Sequence, residues 1–149
     1  MEKIYSTKLI TIKSGSTVRA AKELMNEKRI RHLPVVNSRD EITGMLSTQD
    51  VADALKFQDK PVELFATYPI ETVAESQPLS SVAFLMLDKK ISSVLVVDGD
   101  EALGIITTDD LLFHLATTLE EKEEPKLTVM QKSIVTVGEV CRRLSEVGI

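Results

Sequence analysis

The chain repeats itself, and this constrains its possible folds more than any other feature it has. At an offset of 61 residues, Thr11, Leu24, Met25, Lys28, Ile30 and Val36 coincide with Thr72, Leu85, Met86, Lys89, Ile91 and Val97. One loop residue is then lost and the offset becomes 60. Gly44, Thr48, Asp50 and Leu55 now coincide with Gly104, Thr108, Asp110 and Leu115. Conservative pairs such as Val18 with Leu79 and Ser47 with Thr107 fill the gaps. The organisation read from this is repeat 1 at 1–60, repeat 2 at 61–122 and a C-terminal extension at 123–149.

Both copies predict the order β-α-β-β-α, which makes an α+β fold. A short extended piece (9–12; 69–73) leads into a helix, with Thr17 capping the first and Pro78 opening the second. Apolar residues recur at helical spacing: Val18, Ala21, Leu24 and Met25 in one copy, Leu79, Val82, Leu85 and Met86 in the other. Two strands follow as a hairpin, 32–37 with 42–46 and 94–98 with 102–106, and Asp98-Gly99 signals a tight turn. A second helix closes each copy near 50–57 and 110–119, and 58–68 reads as the linker between copies. One copy of about 60 residues has more apolar surface than its own small core can cover. Two copies packed sheet to sheet about a pseudo-twofold axis solve that problem.

Composition removes several function classes. The net charge is −5, Trp is absent and aromatics make up 4% of the chain, so nucleic acid is not an expected partner. Cys141 is the single cysteine, which rules out an intrachain disulfide or a thiolate metal cluster. The opening residues Met1–Tyr5 lack the apolar run of a signal peptide, and Val94–Val97 is far too short to span a bilayer. A cytoplasmic protein without membrane association is therefore expected. Two histidines and no Gly-rich phosphate loop leave no nucleophile–base pair at recognisable spacing, so an enzyme is not expected. Asp109 and Asp110 are adjacent; on a helix they point about 100° apart and do not act as a facing carboxylate pair.

The strings Arg31-His32-Leu33-Pro34-Val35-Val36-Asn37 and Gly44-Met45-Leu46-Ser47-Thr48-Gln49-Asp50 resemble the signature of the cystathionine-β-synthase-type (CBS) domain. The second copy offers Ser93-Val94-Leu95-Val96-Val97-Asp98 and Gly104-Ile105-Ile106-Thr107-Thr108-Asp109-Asp110. The resemblance covers roughly residues 5–120. It implies a tandem pair, or Bateman module, with two clefts that take AMP, ADP, ATP or S-adenosylmethionine as regulatory ligands and no resident cofactor. Carried over residue by residue, one cleft uses Thr107, Asp109 and Asp110 with Ser6, Thr11, Arg31, His32 and Leu33. The other uses Ser47 and Asp50 with Thr67, Thr72, Ser92 and Ser93.

The residue types suit that role. A ribose diol presents two adjacent donors, and a carboxylate accepts at matching spacing. Placed in the first turn of a helix, Asp50 and Asp110 are oriented by it, and the free N–H groups of that turn favour a phosphate. Arg31 adds bidentate charge and His32 a donor, so the Asp110 cleft carries the cations and the Asp50 cleft has serines instead. Asp109 stands where the family often has Ser or Thr. It repels a phosphate unless it points away or holds Mg²⁺, whereas Gln49 is its neutral equivalent. Ser47-x-x-Asp50 and Thr107-x-x-Asp110 are equally helix-capping boxes, and the two roles are compatible. His114 and the acidic run Glu120–Glu124 read as surface, and Met25, Met45 and Met86 as core filler.

A second reading is a ligand-free structural dimerisation module, using the stripes Val51, Ala54, Leu55 and Leu111, Leu112, Leu115, Leu119. Either reading predicts a homodimer. In the extension, 127–130 and 134–137 read as strands and 138–147 as a helix. The stretch 137–149 faintly resembles the first βα unit of an ACT-type domain but is too short to be one; a helix packing on the module or on a partner is expected.

Overall fold

The computed structural model describes residues 4–122; the expectations for the extension at 123–149 fall outside them. Repeat 1 contains β1 (Ile12–Lys13), α1 (Val18–Lys28), β2 (His32–Val36), β3 (Ile42–Ser47) and α2 (Thr48–Asp53). Repeat 2 contains β4 (Thr72–Ala74), α3 (Leu79–Lys89), β5 (Ser93–Asp98), β6 (Glu101–Thr107) and α4 (Thr108–Lys122). Each sheet has three strands in sequence order, the first pair parallel and the second antiparallel. Register breaks at Val35/Val36 in one hairpin and at the matching Val96/Val97 in the other.

Local chemistry explains the helices. Thr17 Oγ1 accepts from the Ala20 amide, and Val18, Ala21 and Met25 turn one face of α1 inward. In α3, Val82 and Met86 do the same. Both helices end on a non-glycine residue in left-handed conformation, Arg29 and Lys90, each at φ 54°. A side chain there costs roughly 1 kcal/mol relative to glycine.

Alternation along each central strand then separates two faces. Leu33, Val35 and Leu46 join Val18, Ala21 and Met25 in the first core; Val94, Val96 and Ile106 join Val82 and Met86 in the second. Pro34, Val36 and Met45 on one sheet and Leu95 on the other are buried but belong to neither core. They lie on the reverse faces, where the two repeats pack sheet to sheet.

Three expectations need correction. The second helix of repeat 1 stops at Asp53 and tightens into a 3-10 turn over Leu55–Phe57, where the Phe57 amide donates to the Ala54 carbonyl at 2.8 Å. β1 and β4 start later than the expected 9–12 and 69–73, and the residues just ahead of them line the clefts. The supposed linker is built in: its Val62 is fully buried in the first core, and its amide donates to Ser16.

The entry segments also exchange partners. Ser6 lies at the start of repeat 1, ahead of β1, yet pairs with Ile105 of β6 (3.0 and 3.1 Å), and Tyr5 is buried in the second core. Thr67 lies at the start of repeat 2, ahead of β4, yet pairs with Met45 of β3 (2.8 and 3.1 Å). Each crossing needs a glycine beneath it. A Cβ on Gly104 would lie 2.3 Å from the Ser6 carbonyl oxygen, and one on Gly44 2.5 Å from the Tyr68 ring.

Candidate functional site

The two exchanged segments each form one wall of a cleft. The cleft on Asp110 has a volume of about 260 Å³ and that on Asp50 about 280 Å³. The first is lined by Ser6, Arg31, His32, Thr107, Asp109 and Asp110 together with Lys8, Ile10 and Arg29. The second is lined by Ser47, Asp50, Thr67, Ser92 and Ser93 together with Gln49, Glu71 and Lys90. Nearly every position in one has its repeat equivalent in the other.

Each motif carboxylate divides its two oxygens. Asp110 Oδ2 accepts from the Thr107 amide at 2.7 Å and from Thr107 Oγ1 at 2.8 Å, while the Asp110 amide donates back to that hydroxyl. Asp50 Oδ2 does the same with Ser47, at 2.6 and 2.7 Å. Both are therefore helix caps. Oδ1 of each Asp accepts no hydrogen bond among the described residues, and both Asp residues line a cleft, so each carboxylate keeps acceptor capacity for a ligand donor.

Other site expectations change. Leu33 does not line a cleft: it is fully buried in the first core, because strand alternation turns it toward the helices. Thr11 and Thr72 do not line one either, lying one residue past the last lining residues, Ile10 and Glu71, where the chain enters its parallel strand. The Asp50 cleft was expected to lack cations, yet Lys90 lines it. Its six-residue helix α2 is also too short to support the anion argument made for a full helix N-terminus.

Asp109, expected to repel a phosphate unless turned away from it or holding Mg²⁺, is engaged by a cation of the chain itself. It forms an ion pair with Arg31 across the two repeats, and both side chains are more than half exposed. Among the described residues, no group of three His, Cys, Asp or Glu side chains is placed to hold a metal ion. His32 lines both clefts, with Nε2 2.8 Å from Ser92 Oγ. Burial, with Arg31 adding to it, pushes its imidazole below the usual histidine range, while Asp109, Asp50 and Asp110 pull it back in part. A neutral ring is thereby favoured, which still donates from one nitrogen, without the added strength that protonation would give. Sequence reasoning missed Lys8, Arg29, Glu71 and Lys90. A signal existed for Arg29 and Lys90, which follow the matched Lys28 and Lys89 directly.

The profile of the CBS domain matches this chain twice, over residues 1–57 and 62–117.

The chain belongs to the CBS-domain family.

Solved CBS-type structures are similar to it over most of their length. The CBS domain pair of protein MJ0100, in complex with 5′-methylthioadenosine and S-adenosyl-L-methionine, is 30% identical with a TM-score of 0.71. The match covers 77% of this chain and 94% of that one. A putative acetoin utilization protein from Vibrio cholerae is 28% identical with a TM-score of 0.69, covering 83% and 96%. Among curated proteins, the L-aspartate semialdehyde sulfurtransferase of Methanocaldococcus jannaschii is 32% identical over 109 residues, which is 72% of this chain. The CBS chain spans about a fifth of that relative's length (21%). No helix among the described residues is long and apolar enough to cross a membrane.

Proposed function

We propose that this CBS pair is a non-catalytic, cytoplasmic regulatory module that binds an adenosine ligand between its repeats. The observation that carries the reading is the divided carboxylate of Asp110, repeated at Asp50: each residue lines a cleft, one of its oxygens caps a helix, and the other accepts no hydrogen bond among the described residues. Ribose hydroxyls are the donors that such an oxygen suits. Ser6 and Thr107, or Thr67 and Ser47, supply further polar contacts, and Arg31 and His32 line the Asp110 cleft as further partners for the ligand. The ligands of the MJ0100 pair support the adenosine class. Mg²⁺ would enter with a polyphosphate ligand and not in a site of the chain's own. The sulfurtransferase activity belongs to a much longer relative and supports no reaction here.

Ligand binding changes the tilt between repeats, and so the state of a partner, to the extent that the ligand prefers one tilt. The working unit of this proposal is a homodimer. Phe84 and Leu87 on α3, Leu112 and Phe113 on α4, and Leu55 are exposed apolar side chains suited to helix packing. Val51 and Ala54, which were assigned to the same stripe, are buried in the first core and are not available for it.

The test is a thermal-shift and calorimetric panel of AMP, ADP, ATP, 5′-methylthioadenosine and S-adenosylmethionine, with and without Mg²⁺. At a hundred times Kd, binding to the native state alone adds about 2.7 kcal/mol of stability. Stabilisation by one ligand, weakened in Asp110→Asn or in Asp50→Asn, supports the reading. No shift at millimolar ligand overturns it and leaves a structural dimerisation module; a monomeric mass by light scattering at tens of micromolar removes the dimer.

A further inference from the structure

The two clefts are built from equivalent positions, so their differences stand out. Lys8 in the Asp110 cleft corresponds to Pro69 in the Asp50 cleft, and Ile10 to Glu71. Arg31 corresponds to Ser92, and Asp109 to Gln49. Arg29 and Lys90 match in charge and in left-handed backbone. The neutral His32 lines both.

The charged lining of the Asp110 cleft is thus Lys8, Arg29, Arg31, Asp109 and Asp110, a net of 3 − 2 = +1. That of the Asp50 cleft is Lys90, Asp50 and Glu71, a net of 1 − 2 = −1. Pairing keeps the first cleft positive and only partly offsets the negative charge of the second. Asp109 is spent on Arg31, whereas Lys8 and Arg29 form no ion pair among the described residues. Glu71 sits 3.4 Å from Lys89, and both side chains are about a third to a half exposed, so its charge is only loosely matched.

We infer that the clefts divide adenosine ligands by the charge on the 5′ group. The Asp110 cleft takes a 5′-phosphorylated adenosine; the Asp50 cleft disfavours it and takes an adenosine whose 5′ group is uncharged or a sulfonium. This rests on the adenosine-binding reading above. A two-charge difference between half-open clefts amounts to about tenfold in relative affinity at moderate salt.

The experiment is a titration of the full, ¹⁵N-labelled chain with AMP and, separately, S-adenosylmethionine. Amide signals of Ser6 and Thr107 report on one cleft, and those of Thr67 and Ser47 on the other. AMP is expected to saturate the first pair at about tenfold lower concentration than the second, and S-adenosylmethionine to show the reverse order. Glu71→Lys should bring the AMP curves together, as should Lys8→Glu; both positions are at least partly exposed. If both ligands fill the clefts in the same order, or the charge reversals leave the order unchanged, the charge division is overturned while adenosine binding stands. If no reporter moves with either ligand at millimolar concentration, the adenosine-binding reading falls and takes this inference with it.

Discussion

Gly104→Ala is the perturbation that most directly tests how the exchanged segments build the clefts. The new methyl would lie 2.3 Å from the Ser6 carbonyl oxygen and 2.6 Å from Tyr5 Cδ2. A carbon–oxygen contact relaxes at about 3.3 Å, so the segment must retreat by about 1 Å. That strains or breaks the two Ser6–Ile105 hydrogen bonds, each worth about 1 kcal/mol net. It also lifts part of Tyr5 out of the second core, where full burial of a large side chain is worth about 1.5–3 kcal/mol. The sum is roughly 2–5 kcal/mol, which at about 4 °C per kcal/mol for a chain of this size lowers Tm by roughly 8–20 °C. Because Ser6, Lys8 and Ile10 wall the Asp110 cleft, ligand affinity should fall there and persist in the Asp50 cleft. Urea unfolding gives the stability, and the amide reporters give the cleft-specific affinities. A variant within 0.5 kcal/mol of wild type, by the usual additive scatter, or one that loses both clefts equally, would refute the reasoning.

Two further outcomes are expected. Asp109→Asn breaks an exposed ion pair, so stability should move by less than about 1 kcal/mol in urea unfolding, while the released Arg31 tightens AMP binding in calorimetry; a large stability loss would show that the pair holds the repeats together. His32 titrates below its usual range in the folded chain, so between that lower value and about pH 6.5 the unfolded chain binds more protons. Stability should therefore fall as pH drops through this window and be fully present above it. His32→Gln should flatten that part of the curve, and an unchanged slope in unfolding experiments from pH 7.5 to 5 would remove the buried neutral ring from the account.

The repeat, the element order and the two motif carboxylates were legible in the sequence because they are local. Helical spacing put Val18, Ala21 and Met25 on one face of α1, and capping chemistry placed Asp50 and Asp110 in first turns. The carry-over by resemblance went wrong at Leu33, where strand alternation turns the side chain into the core, and the linker reading went wrong at 58–68, where Val62 is part of that core. The exchange that sets Ser6 against β6 and Thr67 against β3 was not legible, since it joins segments far apart along the chain; Gly44 and Gly104 were visible only as a matched pair. Nor was the pairing of Arg31 with Asp109, the neutral state of His32, or the arrival of Lys8 and Glu71 at opposite clefts. Sequence pattern by itself determined which residues form each repeat, because hydrogen bonding and periodicity act over a few residues. Only the tertiary structure decided which charges face which cleft, because that depends on how one repeat lies against the other.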